Sequence, residues 1–509
     1  MVTQHRRNRA WWQAAATLPS QFASLACPLL LAGCANSPQH SGADGCRNLL
    51  VTLDRTIAQA GAADAGAANV PGFPQLRANR FLASFAGEAL SSEAFGIWLE
   101  TLTALGNSAR HNEWANLPPS AQARIRTWFS PGQDPLKIAE TCAARLTQYD
   151  MRAPGRRSRL AKVVSVPDDY DDTARLLGAY PLLKWPLLEG VYRLHNELRA
   201  AYAHPPTPMG RRTRYAPPGG EPLSKTQIAD LLRRASANSL GLPQPSEPEL
   251  ARLFQTFAPI WEVDTVDDSD RIGALTLSER GRPHVDTSRP VVYRMSSHTR
   301  FHGRILLQLN YLAWFPARRA EHPLDIYSGR LDGLIWRVTL TATGEPLAYD
   351  SIHPCGCYYQ VFPGPGYRVE QPKDGGEPIL SPFPLGPLQP GQRLGLRLSS
   401  RTHFIQSVSA KSGVDAAVHG WRDYRELLSL PLPGGSARRS LFDGDGFVAS
   451  TERAERFLLW PMGVANAGAM REWGRHAIAF IGRRHFDDPY LLEKLLRPLR
   501  PAAAERETP

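Results

Sequence analysis

The run GLIWRVTL at residues 333–340 sets Leu334, Trp336, Val338 and Leu340 at every second position. Side chains alternate between faces along an extended chain, so these four line one side of a strand. Comparable short runs begin near residue 260: RPVVYRM, RILLQLNYLAWF, PLAYDSI, CYYQVF and RLGLRLSS. Turn-forming residues separate them, including TATGEP at 341–346, and that punctuation predicts a mainly antiparallel β region. Helical patterns return in GAMREWGRHAIAFIG (468–482) and DDPYLLEKLL (487–496).

Upstream, residues 46–150 read as helices. In SSEAFGIWLETLTALG, Ser92 is the expected N-cap and Gly106 the expected stop, with Phe95, Trp98, Leu99, Leu102 and Leu105 at helical spacing. Residues 151–260 read as a basic linker followed by loops and helices, with Ser224 and Ser246 as caps. The expected class is therefore α+β: a helical region at 46–150, a linker and helix–loop region at 151–260, and a β-rich domain with terminal helices at 261–490. Residues 491–509 would hold the end of the last helix and a disordered tail.

The formal charge of +11 invites a nucleic-acid reading. Only seven of the 59 basic residues are lysine, and the basic residues are spread over the whole chain. The densest runs, RAPGRRSR at 152–159 and GRRTR at 210–214, lack interleaved aromatics and read as solvated linkers. No nucleic-acid partner is expected. The acidic VPDDYDD at 166–172 does not fit an EF-hand loop and reads as a solvated turn.

His5, Arg6, Arg7 and Arg9 make a basic start, and FASLACPLLLAG at 22–33 is apolar but too short to span a bilayer. Leu31, Ala32, Gly33 and Cys34 follow in order. This segment resembles the lipobox of bacterial lipoproteins. The resemblance covers the export segment only. It implies a signal peptide at 1–33 cut before Cys34, fatty acylation of Cys34, and a flexible tether at 34–45. Ala35 in place of an aspartate implies the outer membrane, with the body in the periplasm. Several acyl chains exceed what stable anchoring needs.

Removal of Cys27 with the signal and lipidation of Cys34 leave four cysteines. A Cys46–Cys142 disulfide would close the helical region from end to end. Cys355 and Cys357 remain, in DSIHPCGCYYQVFP at 350–363. On an extended strand His353, Cys355 and Cys357 share a face, and a curl at Pro354 and Gly356 could gather them around zinc. His298, His302 or His403 could supply a further ligand. Alternatively one thiol attacks, a histidine from the same set is the base, and Asp350 orients it. The plain reading is a β-turn holding two small buried sulfurs. Tyr311, Trp314 and Phe315 could line a ligand cleft or fill a core. Common catalytic signatures are absent from the sequence. Two functions follow: a lipid-anchored envelope protein that binds an unknown protein or small-molecule ligand through the β-rich domain, or an envelope hydrolase centred on 298–302 and 353–357.

Overall fold

The computed structural model describes residues 42–373 and 375–499. Cys34, the signal segment and the C-terminal tail lie outside the described residues. The described chain falls within a single compact unit, so the expected boundaries at 150/151 and 260/261 lie inside it.

The N-terminal part is helical: α1 (Ala43–Gln59), α2 (Ser92–Asn116), α3 (Pro119–Arg126) and α4 (Pro135–Arg152). Leu49, Leu50, Leu53, Ile125, Ala143 and Leu146 form its core. A disulfide joins Cys46 on α1 to Cys142 on α4. The α2 N-cap is Ser91, whose hydroxyl accepts from the Ala94 N–H at 3.1 Å, one residue before the expected Ser92. Nor does Gly106 stop this helix. A Cβ there would lie 2.6 Å from the Gln75 carbonyl oxygen, so the glycine admits a crossing backbone.

Both basic runs are structured. Residues 154–163 form α5 (Pro154–Val163). Arg156 pairs with Asp150 at 2.6 Å and covers the Phe73 ring, Arg157 covers Phe95, and Leu160 is buried. Ion pairing and cation–π contact hold this run against the helical core. After α6 (Tyr180–Ala203), the second run becomes strand β1 (Arg211–Ala216). There Arg214 pairs with the buried Glu262 at 2.9 Å across the ladder. The acidic segment 166–172 is only partly solvated: Asp168, Asp171 and Asp172 are exposed. Asp169 is buried between Arg80 and Arg475 at 2.6 and 2.9 Å.

Helices α7 (Lys225–Ala235) and α8 (Glu247–Phe257) begin with capping boxes at Ser224 and Ser246, as expected. The strands that follow are β2 (Ile260–Thr265), β3 (Val291–Phe301), β4 (Arg304–Arg318), β5 (Gly329–Leu340), β6 (Pro346–Ile352), β7 (Gln360–Pro363), β8 (Arg393–Leu398), β9 (Ile405–Lys411), β10 (Ala417–Val418) and β11 (Gly420–Asp423). One sheet has the order β7-β6-β5-β4-β3-β11, and a second has β9-β8-β2-β1-β10. Pairing is mostly antiparallel, with parallel pairs at β3–β11, β2–β8 and β1–β10.

Leu334, Trp336, Val338 and Leu340 share one face of β5, as their spacing requires, and pack with Trp261, Leu396 and Leu398 of the second sheet. The opposite face packs Trp314 and Ile335 against Phe486, Leu491 and Leu492 near the C-terminus. Burial on both faces places Tyr311, Trp314 and Phe315 in the core, with no exposed surface, which removes them as cleft-lining residues.

The C-terminal segment departs from its helical pattern. Leu491–Leu495 is a short helix (α9), but residues 468–482 are irregular and largely buried. Gly468, Gly474 and Gly482 take φ of 82°, 90° and 86°. The Arg471 and Glu472 N–H groups donate to Pro354 and Gly446. Bonds to distant segments replace the helical ladder there.

Candidate functional site

The register of β4 and β5 sets Asp332 opposite Phe315, deep in the β region. Asp332 has no exposed surface. His353, just past the end of β6, donates from Nδ1 to its Oδ1 at 3.1 Å. His403, in the β8–β9 turn, donates from Nδ1 to its Oδ2 at 2.9 Å. Arg453 adds an Nη2 bond to Oδ1 at 3.3 Å and another to the Leu331 carbonyl at 3.2 Å. The far nitrogen of His403 faces Asp270 at 3.4 Å, and its ring stacks on Phe315 at 3.9 Å.

Burial alone would push the Asp332 carboxyl up. His353, Arg453 and the histidine hydrogen bonds outweigh it and hold the group well below its ordinary value. Burial likewise disfavours charge on both rings. It prevails at His353, which is lowered, whereas the bonds to Asp270 and Asp332 prevail at His403, which is raised. Leu331, Tyr358, Arg401 and His403 have φ of 53°, 61°, 64° and 53°. Strained backbone is therefore concentrated where these charges meet.

Thus His353 and His403 are brought together, by an aspartate that sequence reading did not single out. Asp350, the expected orienting group, is occupied elsewhere. It pairs side-on with Arg337, its register partner on β5, with an Nε–Oδ1 distance of 2.8 Å. His298 and His302 are also elsewhere. His298 lies opposite Leu307, eight residues along β4 from Phe315, which is roughly 26 Å at strand spacing. Its Nε2 meets the Pro243 carbonyl at 2.8 Å, and burial lowers it to about 4. His302 sits at the β3–β4 turn with φ 49°, and its N–H bonds Glu493 at 3.2 Å. Neither histidine can serve a thiol at 355 or 357.

Residues 353–357 form a tight turn instead of a strand. The Gly356 N–H donates to the His353 carbonyl at 2.8 Å, and the His353 N–H to Cys357 at 3.0 Å. His353 therefore turns to Asp332 while Cys355 and Cys357 line a cavity of about 30 Å³. The donors proposed for zinc do not converge. Among the described residues, no three His, Cys, Asp or Glu side chains group as metal ligands would.

A second location has room for a ligand. A cleft of about 350 Å³ is lined by Arg294, Ser297 and His298 of β3 and Gln308 of β4. Apolar Phe81, Leu105, Leu250 and Phe254 line it together with Asp64, Glu472, Trp473 and Asp487. Burial and then the nearby Asp64 carboxylate push Glu472 well above its ordinary value. Burial raises Asp487 to about 6. Of these residues only His298 is a candidate site residue in the sequence; Leu105 reads there as part of a helix stripe. The others come from distant segments with no local signature.

Asp332→Asn leaves Arg453 without its countercharge and His403 with Asp270 alone. Its unfolding free energy in guanidinium should fall by about 3–5 kcal/mol, and an unchanged midpoint would contradict the central role of this carboxylate. His476 supplies a pH test. Its Nε2 meets the Pro354 carbonyl at 3.1 Å, and burial followed by Arg471 lowers it to about 3. An unfolded histidine titrates near about 6.5. The stability due to neutral His476 is present above that pH and is lost as pH falls toward 3. Between pH 7 and 5, wild type should lose about 1–2 kcal/mol more than His476→Gln, read from urea midpoints. Compared with known proteins, the chain matches no family model, no curated protein and no solved structure.

Proposed function

We propose that this is a lipid-anchored protein of the bacterial cell envelope that binds a small hydroxyl-bearing ligand in the β3–β4 cleft. The observation that carries the binding part is the cleft itself. Its volume of about 350 Å³ lies in the range of small-molecule sites, about 300–1,000 Å³. Trp473, Phe81 and Phe254 offer apolar faces beside Arg294, Gln308 and the Asp64–Glu472 pair. Neutral Glu472 can donate a hydrogen bond and Asp64 can accept one, which suits hydroxyl groups on a ligand with an apolar face, as in a saccharide. The anchor rests on the Leu31–Cys34 motif alone.

The binding test is a titration of envelope saccharides and amino-sugar oligomers against tryptophan fluorescence. Trp473→Ala should weaken binding about tenfold, the loss of one aromatic contact worth about 1–1.5 kcal/mol. Failure of every saccharide to bind, or equal affinity in the variant, would remove the proposal. Turnover of a bound saccharide that is lost in Glu472→Gln with binding retained would make the same cleft a hydrolase. The anchor has its own test. Metabolic labelling with palmitate should mark the wild-type chain and leave Cys34→Ser unmarked, and label in neither would exclude acylation.

A further inference from the structure

We propose that Cys355 and Cys357 form a thiol–disulfide exchange pair that passes a disulfide to or from a partner in solution. The inference depends on neither the ligand cleft nor the anchor.

Both cysteines are free, with Cys355 buried and Cys357 half-buried. Gly356 between them takes φ 88°. A Cβ there would meet the Ala477 carbonyl oxygen at 2.4 Å, so only glycine allows this turn against that backbone. The turn points both side chains at one cavity of about 30 Å³, room for a single water.

The surroundings suit a negative sulfur. Arg471 donates from Nε to the Cys355 carbonyl at 3.1 Å, and its charge acts on both thiols. Arg453 is 1% exposed, and its Nε and Nη1 find no hydrogen-bond partner among the described residues. Gly468, on the cavity wall, packs against the Arg453 side chain, with a Cβ–Cδ distance of 3.0 Å for an added Cβ. Asp332 already pairs with Arg453 at Nη2; the remaining guanidinium charge favours a thiolate at Cys355, whereas the Glu455 carboxylate beside it opposes one. Burial opposes ionisation at Cys355, but the neighbouring Cys357 thiol and the Arg453 charge lower it. Cys357 is correspondingly raised, first by Cys355. The pair therefore gives up its first proton readily and its second with difficulty.

The exchange balances as follows. The Cys355 thiolate takes the proton of the half-buried Cys357, whose sulfur attacks one sulfur of a partner disulfide. A mixed disulfide forms, and the partner's other sulfur leaves as a thiolate. Cys355 loses its proton and attacks the Cys357 sulfur, which releases the partner's second sulfur. Two thiols of this chain become one disulfide, the partner disulfide becomes two thiols, and both protons pass to the partner. A disulfide closed across one intervening residue is strained and readily reduced, so the reverse step donates it to a reduced client.

The test uses the full chain under native conditions in buffers of reduced and oxidised glutathione, with free thiols alkylated and counted by mass spectrometry. The expected result is loss of two alkylatable thiols in the 353–357 peptide, reversed by dithiothreitol. Cys46–Cys142, already oxidised, serves as the internal reference. Cys355→Ser should accumulate a glutathione adduct on Cys357, because the resolving thiol is gone. Thiols that stay reduced in native protein and react only in denaturant would overturn the proposal. So would a wild-type pair that oxidises in air while Cys355→Ser forms no adduct.

Discussion

A single buried carboxylate, Asp332, holds three distant stretches of chain in place. It accepts from His353 after β6, from His403 in the β8–β9 turn and from Arg453 upstream of the irregular C-terminal segment. An ionised carboxylate without solvent is costly unless its lone pairs are filled by donors. Filling them dictates where those three segments end, and each must bend to reach. Four non-glycine residues with positive φ flank the cluster, each costing on the order of 1–3 kcal/mol. Arg337 and Asp350 repeat the arrangement one strand pair away. There the guanidinium also donates to the Phe486 carbonyl and so ties down the C-terminal segment.

Strand positions were legible where the chain alternates. The β5 periodicity put Leu334, Trp336, Val338 and Leu340 on one face because a two-residue period leaves one solution, although both faces are buried. The capping boxes at Ser224 and Ser246 were legible for a local reason, since their partners lie three residues away. Residues 468–482 misled because apolar spacing resembles a helix whether its backbone bonds run locally or to Pro354 and Gly446. The basic runs misled in the same way. Arginine looks solvated until the buried Glu262 or the Phe73 ring opposite it is known.

The site was half legible. Histidine and cysteine draw attention by chemistry, so His353, His403, Cys355 and Cys357 could be singled out. Asp332 could not. In RLDGLIW it looks like a turn residue, yet it sits in a strand, paired with Phe315 and followed by paired Gly333. Parity gave the wrong direction for His353 because the strand ends one residue earlier, at Ile352. A side chain's facing is only as sound as the assumption that the extended chain continues.

The main sheet separates two kinds of surface. Near His298 it lines an open cleft against the helical region, whereas near Asp332 it ends in packed charge. That division bears on the sulfur turn. Ile352 before it is core, His353 within it is bonded to Asp332, and Pro354 is held by Arg471 and His476. A turn fixed on so many sides keeps its two sulfurs together whether they are reduced or joined. The bond would close a loop with one residue between its ends, so it removes little freedom from the unfolded chain and the usual entropic gain is small. What remains is the geometric strain of a one-residue spacing, which favours the reduced pair. The spacing that makes the turn a poor structural staple is what suits it to exchange.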